Sequence, residues 1–142
     1  LDENHPITKM EKIHTPLKWI ARILAAVIML QTLYFKFTGA EESVYIFSTL
    51  GLEPYGRIGT GIGELIASVL ILIPATTWVG AVMALGLMSG ALFFHITKLG
   101  IEIMGDGGQL FYYGIAVFCA AAYLLIMERE TAQSFVAKLL KK

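Results

Sequence analysis

Gly59-Thr60-Gly61-Ile62-Gly63-Glu64-Leu65-Ile66-Ala67-Ser68-Val69-Leu70-Ile71-Leu72-Ile73-Pro74 carries a single carboxylate, Glu64, in a run otherwise too apolar to face water. With Pro54 as the first helical residue, where its missing N–H costs nothing, Glu64 lies about 15 Å along the helix axis and below the membrane interface. A carboxylate at that depth is costly unless it is neutral, paired or beside a wet cavity. Glu64 is therefore the first candidate for a functional position. At helical spacing it shares a face with Arg57, Thr60, Gly61, Ala67 and Ser68, whereas Ile62, Leu65, Ile66, Val69, Leu70 and Ile73 cover the opposite side. The small polar face is expected to meet other helices and the branched face to meet lipid.

The composition extends this reading to the whole chain. Of 142 residues, 56% are hydrophobic and only 15% charged, with the charges gathered at the ends and in two short stretches between apolar runs. That layout, with a mean hydropathy of +0.69, predicts a polytopic membrane protein. The net charge is zero and the basic runs are short, which sets nucleic acid aside as a partner. One cysteine, Cys119, excludes an internal disulfide or Cys-x-x-Cys redox pair, and its mid-membrane position predicts a packed, inert thiol. The first apolar run follows Asp2, Glu3 and Glu11 and lacks a small-x-small cleavage site, so it is expected to remain as a membrane helix.

The expected fold class is all-α: a four-transmembrane-helix bundle with spans at about 17–38, 54–74, 78–98 and 109–127. Residues 1–16 form a polar segment in which Pro6 and Pro16 limit helix and His5 and His14 are solvated. Arg22 is expected to reach back to the headgroups, and Lys36 either to snorkel outward or to turn inward and pair. Residues 39–53 predict a short amphipathic helix in the first outer loop, acting as a lid or as an anchored connector. Gly86 and Gly90, with the row Ala81, Ala84, Met88 and Ala91, are expected to let helices approach closely. The glycines of residues 98–108 read as turns, since no strand precedes them and no Lys-Ser/Thr pair follows. Residues 128–142 form a basic amphipathic tail suited to an anionic leaflet.

Basic residues concentrate at the two ends of the chain, which predicts cytoplasmic termini and both long loops outside. Lys36 then closes the first span, Glu64 sits early in the second, His95 closes the third and Gln109 opens the fourth, so all four share the outer half of the bundle. Tyr112 joins them as a hydrogen-bonding candidate. A faint internal repeat agrees: Tyr34-Phe35-Lys36-Phe37-Thr38 parallels Phe93-Phe94-His95-Ile96-Thr97, and Gly63-Glu64-Leu65 parallels Gly108-Gln109-Leu110.

Lys36-Phe37-Thr38-Gly39, Leu50-Gly51-Leu52-Glu53-Pro54, Gly63-Glu64-Leu65 and the His95 end of the third span together resemble the DoxX family of small four-helix bacterial membrane proteins, over about residues 20–127. The resemblance implies residence in the bacterial cytoplasmic membrane and a link to thiosulfate:quinone oxidoreductase and to membrane oxidoreductase assemblies that handle thiol stress. It carries Lys36, Glu64 and His95 over as site positions, while the lone Cys119 argues against a thiol mechanism. The leading expectation is a membrane subunit of a redox assembly whose polar cluster holds a quinone headgroup, with electrons from a partner protein, because the chain has no flavin fingerprint or cysteine cluster. Haem is set aside because no second intramembrane histidine accompanies His95, and no metal site is expected. A scaffold subunit of a larger membrane complex is the alternative, the cluster then fixing helix register. A carrier for a small solute or proton ranks third, since neither long span has a central Gly-Pro break.

Overall fold

The computed structural model describes residues 6–141, and the side chains of residue 6 and of residues 12–141. It is all helical: α1 (Pro6–Thr38), α2 (Glu41–Thr49), α3 (Tyr55–Leu72), α4 (Thr77–Phe94), α5 (Gln109–Met127) and α6 (Arg129–Leu140). A short 3₁₀ turn at Pro74–Thr76 joins α3 to α4, and a π turn at His95–Leu99 extends α4. Four helical segments, 12–38, 55–72, 74–99 and 109–127, are long and apolar enough to cross a membrane. α1, α3, α4 and α5 follow one another around the bundle, and α5 closes the ring against α1.

The face of α3 that the sequence marks as polar is the face that packs. Arg57, Gly61, Glu64, Ala67 and Ser68 are buried, while Ile62, Leu65, Ile66, Val69 and Ile73 remain exposed on the outside of the bundle. Small side chains dominate the centre: Ala25, Ala67, Ala81, Ala84 and Ala121 are fully or almost fully covered. Close backbone approach, rather than bulky interdigitation, therefore holds these helices together. The tightest point is Gly80, where an added Cβ would lie 2.7 Å from the Ala67 carbonyl and from Ile71 of α3. Gly86 and Gly90, expected at such a contact, have no neighbour within 4 Å of a would-be Cβ. They line a cavity instead.

Both ends of the bundle are tied by ionic contacts. At the end bearing the termini, Lys18 and Arg22 of α1 approach one carboxylate oxygen of Glu128 at 3.4 and 3.3 Å, and His14 Nδ1 is 2.8 Å from the Tyr123 hydroxyl. Arg22 thus turns inward instead of reaching for headgroups, and its guanidinium also sits 4.6 Å from the Trp19 ring centroid. The reason is Glu128, which supplies a charge partner that no local pattern ties to Arg22. His14 is bonded rather than solvated, and His5 lies outside the described residues. Pro16 lies inside α1, so it does not limit the helix as expected, while Pro6 occupies the first turn, where no N–H is needed.

At the other end Arg57 donates to both oxygens of Glu53, at 2.8 and 3.0 Å, and to the Lys36 carbonyl. One guanidinium thereby links the end of α1 to the start of α3. Gly39, at φ +67°, allows the chain to turn beneath it. Cys119 is exposed on the outer face of α5, not packed as expected. In α6 no residue is buried, and it meets the bundle through Phe135 against Trp78, 5.5 Å between ring centroids.

Gly80→Ala should destabilise the bundle by about 1–3 kcal/mol, the usual cost of overpacking a close contact. Gly86→Ala should be nearly neutral, and thermal unfolding of the two variants in detergent checks the contrast.

Candidate functional site

Toward the end of the bundle where α2 lies, the four long helices part around a cavity of about 500 Å³. Its size is ordinary for a small-molecule site. Ile28, Met29, Thr32 and Lys36 of α1, Thr60 and Glu64 of α3, Gly86, Gly90 and Phe94 of α4, and Leu110, Tyr113 and Val117 of α5 form its wall, together with His95 of the π turn. α2 lies across it, turning Glu42, Ser43, Ile46 and Phe47 inward, with Leu50 just after the helix also on the lining and Ser43 and Phe47 buried. The helix after the first span is thus a cover over the cavity. Its two leading acids, Glu41 and Glu42, stand in the first turn, where the helix dipole favours negative charge.

Glu64 is 4% exposed, and its carboxylate meets Lys36 Nζ at 3.0 Å. Lys36 takes the inward option. Its ammonium also donates to the Thr32 hydroxyl at 3.1 Å, one turn earlier on α1. The single Thr32 proton has two acceptors within reach, the Met29 carbonyl at 2.8 Å and Glu64 at 3.2 Å. Ser68 donates to the Glu64 carbonyl at 2.7 Å. The pair is therefore buried, bonded on both sides and placed on the cavity wall. That arrangement satisfies a charge that would otherwise be very costly inside an apolar bundle.

His95 is placed by the π turn. The turn ends at Gly100, whose N–H bonds to the His95 carbonyl at 2.8 Å and whose carbonyl lies 2.8 Å from His95 Nδ1. A carbonyl only accepts, so Nδ1 carries the proton in this contact. Nε2 then remains with no hydrogen-bond partner among the described residues, on a ring that is 6% exposed and edge-on to Phe111 at 5.7 Å. A neutral imidazole held this way presents an acceptor to the cavity, and a protonated one presents a donor.

Gln109 also reaches the cavity, donating from its amide to the Tyr113 hydroxyl at 2.9 Å. Tyr112, the tyrosine expected here, is 60% exposed and packs beside Phe111 and Gly108, outside the cavity lining. The reason is angular: on a helix the residue four after Gln109, not three, returns to its side of the wall at this point. Sequence reading also missed Thr32, Ser43, Glu42 and Gln31, all of which line the cavity. Thr32 was within reach, being one helical turn before Lys36. The internal repeat holds locally, for Thr38 and Thr97 bond back to the carbonyls of Tyr34 and Phe93, and Lys36 and His95 both face the cavity.

The loop beneath the cover is organised by Asp106. It accepts from the backbone N–H groups of Ile103, Gly108 and Leu110 at 2.9, 2.8 and 3.3 Å, satisfying one donor of the loop and two at the start of α5. Desolvation raises its carboxyl, but those three donors and the nearby His95 outweigh it and hold Asp106 below its ordinary value. Glu42 of α2 moves the other way, pushed up first by burial and then by the charge of Asp106. A left-handed Met104, φ +50°, and glycines with positive φ at 100, 105, 107 and 108 make the turns that the sequence suggests.

Against known proteins, a family model described as DoxX matches residues 17–96, which spans α1 from Leu17 through α4 to Ile96 and includes Lys36, Glu64 and His95. No curated protein and no solved structure matches the chain.

Lys36→Met strands the Glu64 carboxyl and should cost about 3–5 kcal/mol, as for a broken buried pair. Adding Glu64→Leu should restore most of that loss, and a double-mutant cycle on unfolding in detergent checks it. Asp106 has a folded value depressed below 3.8, so its stabilisation of the loop is present above that pH and lost as pH falls through the lower, folded value. The amide resonances of Ile103, Gly108 and Leu110 should accordingly titrate together below pH 3.8, and Asp106→Asn should abolish that titration.

Proposed function

The chain belongs to the DoxX family of multi-pass membrane proteins, and from that premise we propose that it is the membrane subunit of a redox assembly, using its covered cavity to hold a quinone headgroup. One observation carries the reading: a largely apolar cavity of about 500 Å³ has a buried Lys36–Glu64 pair and the free Nε2 of His95 on its wall. A quinone ring needs apolar surroundings, donors toward its two carbonyl oxygens, and proton carriers when two electrons and two protons convert it to the quinol. Lys36 is a donor on the α1 side of the wall, with Tyr113 and Gln109 on the α5 side. His95 is suited to pass a proton, because its Nδ1 contact to Gly100 fixes the ring while Nε2 stays available. The electrons come from a partner protein, since the chain itself has one cysteine and, among the described residues, no cluster of metal-binding side chains. The excess of Lys and Arg toward the two ends of the chain supports cytoplasmic termini in a bacterial inner membrane, with α2 on the outer side.

The closed bonding of Lys36, Glu64 and Thr32 favours a second reading, in which the cluster sets the α1–α3 register of a scaffold subunit. Binding separates the two. Protein in lipid nanodiscs should take up a benzoquinone analogue with an affinity that Glu64→Gln and His95→Ala each weaken about tenfold, equivalent to about 1.4 kcal/mol. Absence of uptake by the unmodified protein would sink the quinone reading and leave the scaffold.

A further inference from the structure

We propose that the cavity opens sideways into the bilayer between α1 and α5, through a mouth edged by Gln31 and Phe35 on one helix and Gln109 and Tyr113 on the other, and that its ligand is a membrane-dissolved quinone whose chain stays among the lipids. The inference rests on the quinone reading and specifies the ligand and its route.

The flanks of α1 decide where the mouth lies. Phe37 presses on Gly61 of α3, with its ring 2.7 Å from a would-be Cβ there, so that flank faces α3. Ile28, Gln31 and Phe35, spaced by three and four residues, project from the other flank. On α5, Gly114 meets Leu92 of α4, whereas Tyr123 meets His14 of α1. Gln109 and Tyr113 lie on the Tyr123 side of the helix and so face α1.

The α1–α5 seam is closed only over part of its length. Toward the termini, Lys18 and Arg22 reach Glu128, and His14 reaches Tyr123. Ala25, Met29, Val117 and Ala121 then pack at the centre, each no more than 1% exposed. On the α2 side no hydrogen bond or ion pair joins α1 to α5 among the described residues. There the cavity wall is reached from outside: Gln31, Gln109 and the 50%-exposed Phe35 are at once cavity lining and outer surface.

Gln31 sets the polarity of the proposed mouth. It sits seven residues before the end of α1, about 10 Å of rise inside the span. Its side chain is exposed at that depth and has no hydrogen-bond partner among the described residues. An unpaired amide facing hydrocarbon is costly, and a polar headgroup passing the mouth would satisfy it. The volume points the same way. About 500 Å³ is the size of a small-molecule site, enough for a substituted ring but not for a ring with a chain of tens of carbons. Such a chain has to leave the cavity, and the seam opens onto the solvent it prefers.

Two photoreactive benzoquinones test the route in nanodiscs carrying the unmodified protein, one with its diazirine on the ring and one with it midway along a decyl chain. The ring probe should label residues around Lys36, Glu64 or His95, and the chain probe residues 28–35 of α1 or 109–117 of α5. Ring labelling accompanied by chain labelling on α2, at Ile46 or Leu50, overturns the lateral mouth and leaves the quinone site standing. No ring labelling overturns both. Gln31→Trp should weaken the decyl compound at least tenfold relative to a chain-free benzoquinone, and equal weakening of the two would also overturn the mouth.

Discussion

An ion pair in an apolar medium sets the terms for this protein. Neither Lys36 nor Glu64 is tolerable alone between hydrophobic helices, and the contact that neutralises them, 3.0 Å long, joins α1 to α3. Thr32, one turn before Lys36, lies within hydrogen-bond reach of both partners and ties the pair to the register of α1. Arg57 reinforces that register by capping the last turn of α1 from the first turn of α3. Once α1 and α3 are fixed in this way, α4 follows through the Gly80 contact, and α5 closes the ring.

The two ends of the bundle answer the same constraint differently. Toward the termini, Glu128 gathers Lys18 and Arg22 and draws the helices together, leaving only Arg22 Nε buried without a partner among the described residues. Toward α2, charge is satisfied within the α1–α3 pair, so α4 and α5 are free to stand back. Glycines at 86 and 90 widen that space because they present no side chain to fill it. The result is a cavity with an ion pair on one wall and imidazole on another.

α2 adds a further layer of contacts. α2 is short and shares its weight between packing and charge: Ser43 and Phe47 hold it down, while Glu42 stands near Asp106, with burial and that neighbouring charge both disfavouring its ionised form. Asp106 in turn is held ionised by backbone donors that the start of α5 leaves open. Cover and loop are thus coupled through two carboxyls of opposite tendency.

Periodicity and polarity alone determined that this chain is an all-helical membrane protein, which face of α3 is covered, and that Lys36, Glu64, His95 and Gln109 share one depth, because hydrophobic length and helical spacing are local properties. The resemblance carried by short motifs agrees with the DoxX match over residues 17–96. What distance along the chain hides was decided by packing. Arg22 turns inward because Glu128, 106 residues away, meets it. Tyr113 rather than Tyr112 lines the cavity because the rotation of α5 is set by α1 and α4 together. Gly80 rather than Gly86 makes the close contact because Gly80 faces Ala67 and Ile71 of α3 while Gly86 lines the cavity, and the sequence of a single helix does not say where its neighbour will press.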